Sequence, residues 1–211
     1  HDHDYLVKSL PESGVRLETV TTQNGVLVLS GPKSRDLLAK VTDADLSNQA
    51  FPWLTGRHID VGAAQARAMR VNFVGELGWE LHHPIEMQNY IFDLLMDAGR
   101  QFDLKPFGIR AMDSLRYEKS YRMWGTELSI EYGALESGLH RFVDLDKGEF
   151  IGRDGLVAWQ ERGFDNAFVT LEVHDIGEAD ARGSEPLYVD GAMVGRATGG
   201  GYGWRVGKSL A

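Results

Sequence analysis

Hydrophobic and polar positions alternate most clearly in the segment Arg67–His83, RAMRVNFVGELGWELHH. Met69, Val71 and Phe73 fall on one side and Arg70 and Asn72 on the other, a half-buried strand pattern. Gly75 and Gly78 bracket a tight reversal, and Trp79-Glu80-Leu81 resumes an extended run, so a hairpin is predicted with Glu76 at its tip beside a tryptophan. Upstream, Val15–Val20 alternates like a strand and Val26–Leu29 reads as a short buried one. Gly31-Pro32 opens a helix through Val41, with Pro at its first position and Leu37, Leu38 and Val41 on one face. A longer helix starts at Pro84, carries Met87, Ile91, Leu94, Leu95 and Ala98 as an apolar stripe, and stops at Gly99. Another, over Ile109–Ser120, carries Ile109, Met112, Leu115 and Lys119 at helical spacing. Past Phe164 the pattern turns to strands: Phe168–Val173, then Leu187–Val189 and Ala192–Val194 around Asp190-Gly191, the strongest hairpin signal in the chain. The chain therefore reads as α+β over residues 1–163, followed over 164–211 by the start of a β domain.

Composition narrows the chemistry. A formal charge of −9 with no basic run argues against a nucleic-acid backbone as partner. The absence of cysteine excludes disulfides, zinc–thiolate sites, iron–sulfur ligation and a cysteine nucleophile, and fits a reducing compartment: the cytoplasm, or the mitochondrial matrix in a eukaryote. No apolar run approaches the ~20 residues of a membrane span. The chain opens without Met and stops as an apolar segment begins, as a piece of a longer polypeptide would.

Several motifs invite a function and fail it. In the glycine-rich stretch 199–209 the residue five before Gly207 is Tyr202, so a phosphate-loop spacing is missed and a glycine-rich β turn is expected. His1-Asp2-His3-Asp4 is a polar terminus, and His82 and His83, as strand neighbours, face opposite ways and chelate poorly, so no metal site is expected. Glu76 and Glu80 lie across a turn that leaves their separation undefined. Spacing alone fits Glu76 to two readings. The commoner is a solvated hairpin tip; the other is a rigid acceptor for the ring nitrogens of a flat heterocycle.

Three blocks in order, VGELGWELHHP, KPFGIRAMDSLRYEKSYRMWGTEL and EYGALESGLHRFVDLDKGEFIGRDGL, resemble the aminomethyltransferase family. This is the glycine-cleavage T-protein family, which also forms the C-terminal half of dimethylglycine and sarcosine dehydrogenases. SGPKSRDLLAKVT and VGRATGGGYGWRVGKSLA extend the resemblance to nearly the whole chain, and the wording leans to the dehydrogenase-fused branch. The resemblance implies a T-protein-like folate-binding fold, with antiparallel sheets flanked by helices, followed by the start of a C-terminal β-barrel. It implies tetrahydrofolate as cofactor and a one-carbon unit taken from a small methylamine-derived substrate, giving 5,10-methylenetetrahydrofolate. FAD belongs only to an upstream dehydrogenase domain in the fused case, whereas a free-standing enzyme would act with a lipoyl carrier protein. A non-catalytic folate-binding regulatory or assembly module is the reading from another class.

Residue by residue, the family's pterin-binding glutamate falls on Glu76, where a carboxylate accepts two N–H bonds from an aminopyrimidinone edge as it would from a guanidinium. Its helix-ending aromatic falls on Trp124, either a stacking surface or a core anchor. An arginine that pairs with the folate glutamate tail is replaced here by Met112, leaving Arg110, on another helix face, as the substitute. Tyr202 is placed to close over the pterin, and Asp113 and Glu118 to order the helix. The family's catalytic aspartate lies upstream of His1. Asp2 and Asp4 do not match it, so the catalytic residue is not assigned.

Overall fold

Three predicted segments, around Val28, Met69 and Leu81, converge in one antiparallel sheet in a computed structural model that describes residues 2–176 and 179–211. The strands are β1 (Asn24–Ser30), β2 (Gly56–Val61), β3 (Ala64–Met69) and β4 (Gly78–Pro84), in the order β1-β4-β3-β2. Helices α2 (Ser34–Leu38) and α3 (Gln88–Gly99) supply Leu37, Leu38, Ile91 and Leu95 to the core formed by one sheet face, through Leu29, Ile59, Val61, Ala66, Ala68 and Leu81. Trp79 lies in the same core, edge-on to Phe51 at 6.2 Å between ring centroids. The guanidiniums of Arg35 and Arg70 lie 6.0 and 5.9 Å from the Trp79 ring centroid.

This first unit comprises residues up to Asn72 together with Glu76–Lys105. Several expectations need correction within it. Val15–Val20 forms no strand: it follows the short helix α1 (Asp2–Lys8) as exposed irregular chain, because no other strand pairs with it. Val26–Leu29 does form a strand, but Val26 and Val28 are exposed, since β1 is a sheet edge with one open face. The hairpin is wider than predicted. Met69 pairs with Glu80, so strand β3 ends at Met69 and residues 70–77 make an irregular connection. β2 was not signalled, because only Ile59 and Val61 of its residues are buried. The helix expected at Pro84 begins as a 3-10 turn, Ile85–Met87, and turns α-helical at Gln88. The αL residue that ends its final 3-10 turn is Asp103, not Gly99.

The second unit comprises Phe73–Gly75 and Pro106–Ala211. It holds α4 (Ile109–Tyr117), α5 (Arg153–Arg162), the strands β5 (Glu172–Val173), β8 (Gly201–Gly203) and β9 (Lys208–Leu210) in the order β5-β9-β8, and the hairpin of β6 (Pro186–Val189) with β7 (Ala192–Arg196). The Asp190-Gly191 turn is as predicted: both residues have positive φ, +50° and +80°, as a two-residue primed turn requires. The strand expected over Phe168–Val173 shrinks to two residues. The apolar stripe expected on α4 is only half realised: Met112 and Leu115 are half-buried, Ile109 and Lys119 are exposed, and the residue of α4 that is fully buried is Arg116. α5 was not signalled by apolar spacing, since none of its residues is buried. The boundary expected at 163/164 lies inside this unit.

Candidate functional site

Glu76 sits in the β3–β4 connection, half-buried, and its backbone is fixed from behind. The Leu77 carbonyl accepts both the Gly31 N–H (2.8 Å) and the Ser34 hydroxyl (2.9 Å), which ties the connection to the Gly31–Ser34 turn between β1 and α2. Ser34 is itself buried. Gly78 makes this approach possible, because a Cβ there would run into the Leu29 carbonyl oxygen. At the other end of the connection the Arg70 guanidinium donates to the Phe51 carbonyl (2.5 Å) and to Asn48 Oδ1 (2.7 Å). Burial, with Arg35 alongside, pulls the Arg70 pKa down from its ordinary value. The result is an acid on a connection braced on both sides by hydrogen bonds. Trp79 is not its aromatic neighbour for a ligand, because that ring is fully buried. Glu80 points elsewhere, to His82 Nε2 at 3.3 Å. His83, on the opposite face, is buried with Nδ1 at 2.8 Å from the Leu81 carbonyl.

The other three predicted residues belong to the second unit. Arg110 is the second residue of α4 and is exposed. Trp124 follows α4 on a loop closed by the Gly125 N–H donating to the Leu128 carbonyl at 2.9 Å. With 71% of its surface exposed, Trp124 is no core anchor, and its ring is free to serve as a stacking face. Tyr202 lies in β8, 39% exposed, with Trp204 edge-on at 5.0 Å. Ser114 Oγ donates to the Tyr202 carbonyl at 2.6 Å and so joins β8 to α4. The preceding glycines have a packing reason. Side chains at 199 or 201 would press on the Tyr117 ring, and one at 200 on the Leu210 carbonyl. Burial raises the pKa of the Tyr117 hydroxyl.

Asp113 orders the helix as expected, accepting from Arg116 Nε at 2.8 Å, whereas Glu118 reaches outside it and accepts the Arg205 N–H, 87 residues on, at 2.9 Å. Sequence reasoning missed the centre of this unit. Arg116 and Glu127 are each 3% exposed and face one another at 3.7 Å. Arg116 also donates to the Tyr121 carbonyl at 3.0 Å. The Asp113–Arg116 spacing of i,i+3 in MDSLR was the available signal for an ordered ion pair; nothing in the pattern marks Glu127 as buried. Ser34 was legible only as part of the GPKS turn. Among the described residues no group of three or more His, Asp or Glu is placed to hold a metal ion. His1 lies outside the described residues, and His3 has its ring 3.2 Å from the Thr19 hydroxyl.

The model of the GCVT N-terminal domain matches residues 1–147. The chain belongs to the GCVT, or aminomethyltransferase, family. The GCVT chain is 36% identical over 216 residues to human mitochondrial dimethylglycine dehydrogenase, a match that takes in all of this chain and 25% of that protein. It is 38% identical over 188 residues to mouse mitochondrial sarcosine dehydrogenase, covering 89% of this chain and 20% of that one. To the aminomethyltransferase of Caldanaerobacter subterraneus it is 31% identical over 199 residues, covering 94% of this chain and 52% of the enzyme. The GCVT chain thus spans about a quarter of the length of its dimethylglycine dehydrogenase relatives. Glu76, Ser34 and Trp124 all fall within the matched GCVT residues, whereas Tyr202 falls beyond them.

Proposed function

We propose that this chain is the tetrahydrofolate-binding, one-carbon-transfer part of a dimethylglycine- or sarcosine-dehydrogenase-like protein. The observation that carries the reading is the bracing of Glu76: Gly31, Ser34 and Arg70 fix the connection that presents its carboxylate, and the connection is the family motif VGELGWE. A carboxylate carried on such a backbone accepts two N–H groups from the edge of a pterin with the connection already ordered before binding, which is where preorganisation adds affinity. The exposed Trp124 ring and the Tyr202 phenol offer flat apolar faces suited to a bicyclic ring, and Arg110 a cation for a glutamate tail.

Bound tetrahydrofolate supplies the nitrogens that take up the one-carbon unit, giving 5,10-methylenetetrahydrofolate. This chain's residues bind and orient the folate and keep water from it; the catalytic acid is assigned to none of them. The donor is a small methylamine-derived substrate processed by an associated or fused FAD-dependent dehydrogenase domain, and the C-terminal strands are the start of the family's β-barrel. The 36% identity to human dimethylglycine dehydrogenase along the whole of this chain, against 31% to the aminomethyltransferase, supports the fused reading over a free-standing enzyme served by a lipoyl carrier protein. The compartment that fits is the mitochondrial matrix in a eukaryote and the cytoplasm otherwise; no helix among the described residues is long and apolar enough to cross a membrane.

Anaerobic titration with tetrahydrofolate, followed by tryptophan fluorescence, tests the reading. Saturable binding that weakens about 10-fold in Glu76→Gln is the expected result, the scale of one charge-assisted hydrogen bond. Silence from the full-length protein would overturn it.

A further inference from the structure

The second unit contains a buried carboxylate that the folate reading leaves without a task. Both oxygens of Glu127 are engaged, and they reach two distant parts of the chain. Oε2 accepts from the Met123 N–H and the Thr126 hydroxyl, each at 2.7 Å, on either side of Trp124. Oε1 accepts from the Thr198 hydroxyl at 2.7 Å, next to the glycine turn that leads into Tyr202. Arg116 Nη1 stands 3.7 Å from Oε2, and the Glu127 carbonyl accepts the Ser137 hydroxyl at 2.9 Å.

We infer that Glu127 is a positioning residue, a clamp that holds the Trp124 loop to the Gly199–Tyr202 segment and so sets the two aromatic side chains at one fixed spacing. The inference rests on the folate reading for what those aromatics bind. Every partner of the carboxylate is a donor or a cation, so only an acceptor at both oxygens satisfies the site. A glutamine would turn its amide N–H groups toward one set of donors. Burial pushes the Glu127 pKa up, yet the hydrogen bonds from Thr126, Thr198 and Met123, with Arg116 beyond, outweigh it and hold the group below the ordinary glutamate range. The clamp is thus charged at neutral pH. It joins segments 71 residues apart in sequence, and the Thr198 hydroxyl is its hold on the glycine turn. Trp124 and Tyr202 then act as a pair, with a specificity for ring width that neither has alone.

Thr198→Val cuts one arm of the clamp with little change of shape, and Thr198→Ser restores the hydroxyl. Hydrogen exchange on the full-length protein reads the clamp without ligand. Thr198→Val should speed exchange about 10-fold in residues 121–128 and in 196–204 together, and Thr198→Ser should match wild type. A rise confined to 196–204, or an equal rise throughout residues 106–211, overturns the clamp. Tetrahydrofolate affinity then tests the consequence. Thr198→Val should weaken binding about 10-fold in the wild-type background and less than about 2-fold in Trp124→Ala, because the clamp acts through that ring. Equal losses in both backgrounds would contradict the positioning role. Absence of folate binding in wild type would remove the folate reading, and the exchange data would still decide the clamp.

Discussion

The two units of this chain are held together by different physics. In the first, among the described residues, fourteen buried apolar residues form one cluster between the sheet and helices α2 and α3, and Ser34 and His83 are the buried polar residues. In the second, among the described residues, the buried apolar side chains are Val74, Leu135, Ala197 and Leu210, outnumbered by Arg116, Glu127, Glu136, Ser137 and Ser209. Apolar burial is non-directional and tolerates adjustment, whereas a buried ion pair demands that each donor and acceptor be matched. A satisfied polar network fixes geometry more tightly than it adds stability. That is what a site with two exposed aromatic faces needs, and it leaves the second unit the more sensitive to acid.

The contrast can be broken from either side. Trp79→Ala empties the largest buried side chain of the first unit and should cost about 3–5 kcal/mol. Urea unfolding followed by hydrogen exchange should localise that loss to residues 24–105. Glu127→Ala leaves the buried Arg116 with Asp113 as its remaining counter-charge and strips the Met123, Thr126 and Thr198 donors of their acceptor, and should cost about 3 kcal/mol, localised to residues 106–211. The sharper version is the pair Arg116→Met with Glu127→Leu, which should cost less than Glu127→Ala alone, since it removes both buried charges and leaves only the partly exposed Asp113 without its partner. A double variant no more stable than the single one would show that hydrogen bonds to the backbone, and not the pairing, carry the network.

Acid separates the units next. Because the folded pKa of Glu127 is depressed, its contribution is full above its unfolded value of about 4.3 and is lost as the pH falls through the lower folded value. Exchange in residues 106–211 should therefore rise before that in 24–105 as the pH is lowered below about 4, and Glu127→Gln should abolish the difference. Smaller effects follow. Ser34→Ala removes one of two hydrogen bonds on the Leu77 carbonyl and should cost about 1 kcal/mol, with a few-fold loss of folate affinity through Glu76. Val26→Ser, on the open face of an edge strand, should stay within about 0.5 kcal/mol of wild type in the same denaturation assay.

The same difference decided what could be read from the amino-acid sequence. Leu37, Leu38, Ile91 and Leu95 recur at helical spacing because one face of each helix meets an apolar sheet, so α2 and α3 were legible to within a few residues. β2 escaped because Arg57, His58 and Asp60 outweigh Ile59 and Val61. Val15–Val20 misled because alternation reports a capacity to pair and not the presence of a partner strand. In the second unit α4 and the β6–β7 hairpin were legible, but the interior was not: the residues that make it are largely charged or hydroxyl-bearing, and hydropathy assigns such residues to the surface. Glu76 could be found because its motif VGELGWE carries a family resemblance. Thr198 and Glu127 could not, because their partnership spans 71 residues and exists only in the fold.

The central claim is that the Glu76 carboxylate reads the amino edge of a pterin. It is tested most directly by pairing a protein change with a ligand change: tetrahydrofolate, and an analogue with methyl in place of the pterin 2-amino group, each titrated against wild type and Glu76→Gln. The account predicts that wild type prefers tetrahydrofolate by about 10-fold, the worth of one charge-assisted hydrogen bond, and that Glu76→Gln discriminates by less than about 2-fold. A wild type indifferent to the amino group, or a Glu76→Gln variant that keeps the full preference, would contradict it.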